Sequence, residues 1–354
     1  MKIEELLKYT IQRSASDLHL VVDYPPLLRV DGILVQAANF TIEDEYMKQV
    51  VDEILSDSQK EFLDVNKEID LSYEYVDTHD RFRINVFHQK GHLSIAFRLI
   101  PNKIRTVEEL FIPDVIHSFT KIPQGLVLVT GPTGHGKSTT LAAMVQEINV
   151  RDPKHIITVE DPIEYVYPKG KALIEQREVG EDTHSWDISL RSALREDPDV
   201  VLIGEMRDFE TIASAITIAE TGHLVFATLH TNSAAQTIDR IVDVFPDVQQ
   251  AQIRIQLADI LEAIVSQRLI PTIGGGRRVV TEILIATSAV RNMVREGKTY
   301  QLDSVIQTSG DVGMVSLDKS LVALVREGKI TIDDAQAHSS HPDELLRLFR
   351  GRNV

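Results

Sequence analysis

The feature that most constrains the fold is a glycine-rich octapeptide at residues 131–138, GPTGHGKS, which fits the pattern G-x-x-x-x-G-K-[ST]. It follows an apolar run that predicts a strand over 126–130, and it leads into a helix predicted to start near Lys137. This order places backbone N–H groups around a phosphate at a helix N-terminus. A glycine-rich turn without a ligand is the alternative, which the flanking strand and helix disfavour.

The residues of this loop, called the P-loop below, predict a site for Mg-ATP. Lys137 would reach the β- and γ-phosphate oxygens, and the Ser138 hydroxyl would bind Mg²⁺. The nucleotide-binding residues are predicted to be Gly131, Pro132, Thr133, Gly134, His135, Gly136, Lys137, Ser138 and Thr139. ATP and Mg²⁺ are therefore the expected cofactors.

Continuous apolar runs around and after this loop predict a parallel sheet. They lie at 125–130, 155–159, 200–203 and 224–228, and helical or loop sequence separates them. Strands that are buried on both faces and alternate with helices are typical of a parallel α/β fold.

The first hundred residues predict a different arrangement. Residues 27–30 precede an Asp31–Gly32 turn, and residues 81–87 alternate polar and apolar side chains, which is typical of strands in an antiparallel sheet. A single helical insertion is predicted over 42–62. The first part of the chain is thus expected to be a mixed α/β domain.

The length of 354 residues and a candidate linker segment predict two domains. A proline and short polar residues at 99–104 mark the linker. The expected layout is an N-terminal domain over 1–100, a linker over 101–112, an ATPase core over 113–286 and a helical C-terminal region over 287–354.

An acidic residue beyond the run 200–203 is the predicted catalytic group. Glu205 follows that run and would orient the attacking water and help hold Mg²⁺. Gly204 occupies the position of the usual Mg-associated aspartate, so another acid should help hold the metal. The candidates are Glu160, Asp161 and Glu164, which follow another strand. A solvated acidic turn is their alternative interpretation.

Two histidines flank the run 224–229. His223 and His230 could sense the γ-phosphate by hydrogen bonding, although a purely structural role is the alternative.

Composition limits the partners. The net charge of −16 disfavours binding to nucleic acid. The chain has no cysteine, which excludes disulfides and a cysteine-based zinc site. No apolar run is long enough to span a bilayer, so we expect a cytoplasmic protein without membrane insertion that can still dock on a membrane protein.

Four segments together resemble the secretion ATPase superfamily of type II secretion, type IV pili and conjugation. They are GPTGHGKSTT from Gly131, ITVEDPIEY from Ile157, RSALREDPDVVLIGEMRD from Arg191 and ETGHLVFATLHTNSA from Glu220. They correspond to its Walker A, Asp box, Walker B and His box. Segments SDLHL, PPLLRVDG and DRFRINVF also resemble the family's N-terminal domain.

The resemblance implies a ring-shaped homohexamer with a PAS-like N-terminal domain, a RecA-like C-terminal domain and ATP at the subunit boundaries. It strengthens the sensing role of His223 and His230. It also implies that Arg81, Arg83 and Arg98 contact the triphosphate, whereas the residues alone would favour surface arginines paired with Asp80 or Glu74. His135 departs from the serine that is usual in this loop, so affinity could differ.

The segment AVRNMVREGK at 289–298 is similar to the signature of the pilus-retraction members. With the absence of a tetracysteine zinc motif, it implies a retraction motor at the cytoplasmic face of the inner membrane, acting on a pilus platform protein and indirectly on pilin. Arg291, Asn292, Arg295 and Glu296 are predicted to face outward as a coupling surface, with a solvated helix face as the alternative. An accessory retraction, secretion or conjugation ATPase and a nucleotide-gated scaffold stay open as alternative functions.

Overall fold

The computed structural model describes residues 1–30, 32–76, 80–100 and 103–351. The chain divides into two compact units, Met1–Lys103 with Glu164–Val166, and Ile104–Ile163 with Tyr167–Val354. Asp31 of the expected Asp31–Gly32 turn and the first two linker positions, Pro101 and Asn102, lie outside the described residues.

The first unit is built on an antiparallel sheet with strand order β3-β2-β1-β6-β5-β4. Its elements are α1 (Ile3–Gln12), β1 (Asp17–Val21), β2 (Leu27–Val30), β3 (Ile33–Gln36), α2 (Asp44–Ile54), α3 (Asp57–Asn66), β4 (Glu68–Tyr75), β5 (Asp80–Gln89) and β6 (His92–Leu99). Buried side chains such as Leu6, Val50, Leu18, Ile84 and Phe97 form its core. The predicted mixed α/β class with an antiparallel sheet is confirmed for this unit.

The helical insertion predicted over 42–62 is two helices, α2 and α3, and the single-helix prediction was wrong. Leu55 has extended backbone angles, and Ser56 caps α3 by accepting a hydrogen bond from the Gln59 backbone N–H. The Gln59 side chain completes a capping box with the Ser56 backbone. Such a box marks a helix start, so it splits the segment.

The second unit contains a largely parallel sheet with strand order β13-β12-β7-β11-β10-β8-β9. Its sheet and covering elements are α4 (Ile116–Phe119), β7 (Gly125–Thr130), α5 (Lys137–Arg151), β8 (His155–Glu160), β9 (Leu173–Glu178), α6 (Trp186–Ala193), β10 (Val200–Ile203), α7 (Phe209–Glu220), β11 (Leu224–Leu229), α8 (Ala234–Asp243), α9 (Asp247–Ile260), β12 (Leu261–Pro271) and β13 (Arg277–Ile285). The C-terminal helices are α10 (Ser288–Arg295), α11 (Leu302–Thr308), α12 (Leu317–Arg326), α13 (Ile332–His338) and α14 (Pro342–Arg350), with short 3₁₀ turns at Thr299–Gln301 and Gly310–Val312.

The surroundings of β7 explain why the central strands are unbroken apolar runs in the sequence. Leu126 and Leu128 belong to the core cluster formed with α7, α8 and α9. Val127 and Val129 belong to the opposite cluster, which includes α5. Both faces are covered, so no position in the strand favours a polar residue.

One edge of this sheet differs from the fully parallel prediction. β12 runs parallel to β7, but β13 returns antiparallel to β12. Gly274, Gly275 and Gly276 all have positive φ in the connecting turn. β12 also begins directly after α9, without an intervening loop that the sequence could reveal.

The C-terminal helices pack on this hairpin through a separate apolar cluster that includes Ile270, Val280, Leu321, Ala335 and Leu345. The short helical pieces predicted after Thr287 are present. Within the described part of the chain, no helix combines the length and apolar character needed to cross a bilayer.

Candidate nucleotide site

The P-loop joins β7 to α5, and its backbone requires glycine at both ends. Gly131 has φ +142° and Gly136 has φ +81°. A Cβ on Gly131 would lie 2.3 Å from the carbonyl oxygen of Gln267 on β12, so a side chain does not fit there. Gly136 is the N-cap of α5. The first N–H groups of α5 therefore face a tight loop, the usual geometry of an anion site.

Lys137 is the first residue of α5, and its ammonium group lies back within the loop. Nζ donates to the carbonyl oxygens of Gly131 at 2.9 Å and Pro132 at 3.1 Å. The residue is only 8% exposed. A buried ammonium group at this position would be stabilised by an anionic ligand bound in the loop.

The carboxyl ends of β10 and β11 bring an acid and a histidine to the P-loop. β11 lies between β7 and β10, so the ends of these three parallel strands meet at one edge. His230 Nε2 lies 3.0 Å from Glu205 Oε1. Its Nδ1 lies 3.2 Å from Thr133 Oγ1 and 3.4 Å from Lys137 Nζ. His230 thus connects Glu205 with two residues of the P-loop.

The groups around Glu205 determine its charge. Burial raises the pKa of Glu205, but hydrogen bonding from Arg207 and the charges of His230 and Arg207 outweigh burial and lower it. Arg207 Nε lies 2.8 Å from Glu205 Oε1. Glu205 is therefore held as a carboxylate.

Crowding explains why Gly204 replaces an aspartate. A Cβ on Gly204 would lie 3.3 Å from the Glu160 Cα, 3.3 Å from the Val159 carbonyl oxygen and 3.4 Å from the Trp186 ring. A carboxylate side chain would need still more space. The acid beside this position is Glu160 at the end of β8, which is 8% exposed and accepts from the Thr158 hydroxyl at 2.7 Å.

The three acids predicted to assist with the metal are divided between the two compact units. Asp161 is exposed. The pKa of Arg207 is raised mainly by the hydrogen bond to Glu205 and by the charge of Glu205, and the charge of Asp161 adds to this increase. Glu164 is grouped with the first compact unit, whereas Glu160 and Asp161 belong to the unit that holds the P-loop. Among the described residues, no group of three or more His, Asp or Glu side chains forms a metal centre.

The two histidines predicted as sensors lie at opposite ends of β11. His223 precedes the strand, and its Nδ1 lies 3.0 Å from both the Ile218 carbonyl oxygen and the Thr221 hydroxyl. A six-residue strand spans about 20 Å. Within one chain, therefore, only His230 lies beside the P-loop.

The three N-terminal arginines lie on β5 and β6 of the first unit. Arg83 and Arg98 face each other across these strands. Arg98 Nε donates to Asp17 at 2.9 Å, and Arg83 Nε lies 3.8 Å from Asp70. Arg81 lies opposite Glu74 in the β4–β5 register. Their proposed role at a triphosphate stays a prediction.

The prediction from sequence missed β12 as a wall of the P-loop. Gln267 Nε2 donates to the His135 carbonyl oxygen at 2.8 Å, and the Leu269 backbone N–H donates to His135 Nδ1 at 3.0 Å. Burial, followed by the charge of Lys137, lowers the pKa of His135. The polar triplet Ser-Gln-Arg at 266–268, between the apolar runs 263–265 and 269–270, was the available signal.

The segment predicted as a coupling surface is α10, and Arg291 does not face outward as predicted. Its guanidinium donates to the carbonyl oxygens of Ala286, Ala258 and Asp259 at 2.9–3.0 Å, and to Glu262 at 2.7 Å. These contacts fix α10 against the end of α9. Val290 and Val294 are buried as expected, whereas Asn292, Arg295 and Glu296 are accessible.

A parallel sheet, a glycine-rich loop at a helix start, a lysine within it and an acid–histidine pair beside it define a P-loop ATPase. The chain belongs to the Type II/IV secretion system protein family, whose model matches residues 2–276. The family prediction from the four motifs is confirmed.

Individual relatives agree with this assignment. The type IV pilus retraction ATPase PilT of Pseudomonas aeruginosa is 48% identical over 345 residues, which cover 98% of this chain and 100% of that protein. A twitching motility protein of Neisseria gonorrhoeae is 46% identical, covering 90% of this chain and 86% of its own. A crystal structure of the pilus retraction motor PilT with bound ADP superposes with a TM-score of 0.92 at 46% identity, covering 98% and 99% of the two chains.

Proposed function

We propose that this chain is the ATPase subunit of a hexameric motor that powers type IV pilus retraction. The observation that carries the proposal is the set of contacts by which His230 connects Glu205 with Thr133 and Lys137 of the P-loop. Similarity to PilT over nearly the whole of both chains supports the retraction role.

Each residue of the site has a proposed task in hydrolysis. Glu205, held as a carboxylate, accepts a hydrogen bond from the attacking water and orients it toward the γ-phosphate. Lys137 and the N–H groups of the P-loop stabilise the negative charge of the phosphates. The Ser138 hydroxyl and the Glu205 carboxylate are oxygen donors, the type that Mg²⁺ prefers, and they would hold the ion together with phosphate oxygens. Mg²⁺ would neutralise charge on those oxygens.

His230 would couple the presence of the γ-phosphate to the arrangement of the ring and of Glu205. A γ-phosphate at Lys137 would compete for the contacts that Thr133 and Lys137 make with the ring. Loss of these contacts would free the ring and the Glu205 carboxylate to reorganise. Arg81, Arg83 and Arg98 would act at the triphosphate of a neighbouring subunit, which ties turnover to domain movement.

The motor would work at the cytoplasmic face of the inner membrane, on a pilus platform protein and indirectly on pilin. The accessible residues Asn292, Arg295 and Glu296 of α10 are the proposed contact with that partner. Their mixed charges suit a polar rather than an apolar docking surface.

Phosphate release by the purified protein tests the enzymatic part of the proposal. We expect Lys137→Ala to lose tight ATP binding, whereas Glu205→Gln binds ATP but turns over at least 100-fold more slowly, on the order of the loss of one catalytic group. Glu210→Gln, at an exposed position in the first turn of α7, is the matched control and should hydrolyse normally. Normal turnover by Glu205→Gln would remove Glu205 from the catalytic role.

Deletion of the gene tests the cellular part. We expect cells with surface pili that no longer retract, and Glu205→Gln should give the same phenotype. Loss of pili or of secretion would indicate a secretion, assembly or conjugation ATPase instead. Retraction that is normal under low load but fails under high load would indicate an accessory motor.

A further inference from the structure

A buried glutamine outside the four family motifs contacts the P-loop directly. Gln267 is 2% exposed and lies on β12, just beyond the point where Ser266 pairs with Thr130 of β7. A glutamine side chain is rarely this deep unless its amide is fully used. Both ends of the Gln267 amide have partners on the nucleotide-binding element.

The two partners lie on the two sides of the loop-to-helix junction. Nε2 donates to the His135 carbonyl oxygen at 2.8 Å, and Oε1 accepts from the Thr140 hydroxyl at 2.8 Å. Thr140 is itself 1% exposed and lies in the first turn of α5. One amide therefore bridges the P-loop backbone and the helix whose N-terminus faces the phosphates.

The motif glycines also fit against this residue. The Gly131 Cα faces the Gln267 backbone carbonyl, where a Cβ would come within 2.3 Å, and a Cβ on Gly136 would lie 3.3 Å from Gln267 Nε2. The requirement for glycine at these two positions thus comes partly from β12 and not only from the ligand.

We infer that Gln267 is a positioning residue for nucleotide binding, which holds the P-loop in its phosphate-binding shape through the His135 carbonyl and Thr140. The inference rests on the proposed ATP binding at the P-loop. Gln267 itself has no contact with the phosphates in this scheme. It sets the fraction of molecules whose loop is already shaped for the ligand, and the apparent dissociation constant rises as that fraction falls.

This mechanism predicts a specific kinetic result. Gln267 contacts no reacting group in this scheme, so loosening the loop should remove binding that the ground state and the transition state share. KM for ATP and Kd for Mg-ADP should rise together, and kcat should change little. A residue that only supports folding would lower the thermal midpoint without changing either constant at a temperature where the protein is folded.

Gln267→Met keeps the length of the side chain and removes both hydrogen bonds. We expect Kd for Mg-ADP and KM for ATP to rise about 10-fold, with kcat within about twofold of the unmodified protein. Thr140→Val, which removes one of the two anchors, should give a smaller rise of about threefold. Thr10→Val is the matched control, because it removes a buried 2.7 Å hydrogen bond to the Leu6 carbonyl oxygen within α1. It should leave both constants unchanged.

Gln267→Glu gives a second and independent readout. It retains the acceptor for Thr140, but a carboxylate cannot donate to the His135 carbonyl, whereas a protonated carboxyl can. Burial raises the pKa of such a carboxyl. The ratio of its KM to that of the unmodified protein should therefore fall as the pH is lowered from 8 to 6.5.

The outcomes separate the two proposals. If the unmodified protein binds no Mg-ADP, the proposed function fails. If the unmodified protein binds and folded Gln267→Met binds within twofold of it, the positioning role is refuted. If Gln267→Met does not fold, Gln267→Glu and Thr140→Val decide, and unchanged constants in both would refute the inference.

Discussion

Replacing Arg291 by alanine should destabilise the second unit, whereas replacing Arg295 should have little effect, although both arginines lie on α10. The Arg291 side chain is 24% exposed and donates to three backbone carbonyl oxygens and to Glu262. Arg295 is 42% exposed and pairs with Asp259, which is 62% exposed. The two variants remove the same charge from the same helix.

The contacts of Arg291 set the size of the effect. A hydrogen bond contributes about 0.5–1.5 kcal/mol net, and after truncation water can reach some of the carbonyl groups, so Arg291→Ala should cost about 2–3 kcal/mol. For a unit of this size that corresponds to a fall of about 5–10 °C in Tm. The exposed Arg295 pair should contribute below about 0.5 kcal/mol, or at most about 2 °C.

Differential scanning calorimetry of both variants measures this difference directly, and a retraction assay in cells shows its meaning. Arg295→Ala should retain Tm and ATP turnover while losing retraction, as expected of a coupling surface. Loss of retraction by Arg291→Ala would follow from destabilisation alone. The reasoning is refuted if the Tm of Arg291→Ala lies within 2 °C of the unmodified protein, or if Arg295→Ala falls as far.

The remaining predictions concern the nucleotide site. Arg207→Ala should raise the pKa of Glu205, because its strongest hydrogen bond is lost, so the acidic limb of the ATPase pH profile should move to higher pH; an unmoved limb would contradict this. The pKa of His135 lies below its ordinary 6.5, so the neutral ring that accepts from β12 persists at pH 6.5 and is lost only as the pH falls through the lowered pKa. ATP affinity should weaken in that window, whereas His135→Asn, an acceptor that does not titrate, should abolish this dependence; parallel binding curves for both proteins would exclude it. If Arg83 acts across a subunit boundary, mixing Arg83→Ala with Lys137→Ala subunits should restore part of the hydrolysis that each lacks alone, and no recovery in confirmed mixed hexamers would point to a role within one subunit.

The sequence by itself determined the chemistry that follows chain order. A strand, a glycine-rich loop and a helix are adjacent in the chain, so residues 131–138 predict a phosphate site without any tertiary contact. Glu205 and His230 lie within two residues of the ends of apolar strands, and parallel strands place their carboxyl ends at one edge. The alternation of runs and helices likewise predicted the α/β class. The capping box at Ser56 was readable too, but it was missed within a longer helical pattern.

Only the tertiary structure decided what surrounds and supports that chemistry. Gln267 and His135 are 132 positions apart in sequence and are in contact because β12 pairs with β7. Hydrophobic periodicity does not specify the register of this pairing. Arg291 has a helical pattern that leaves it exposed, yet the end of α9 lies where its guanidinium can reach three carbonyl groups. Glu164 matches the family's acidic motif but is grouped with the other compact unit. Buried polar contacts depend on strand order and packing, so the pattern along one segment cannot predict them.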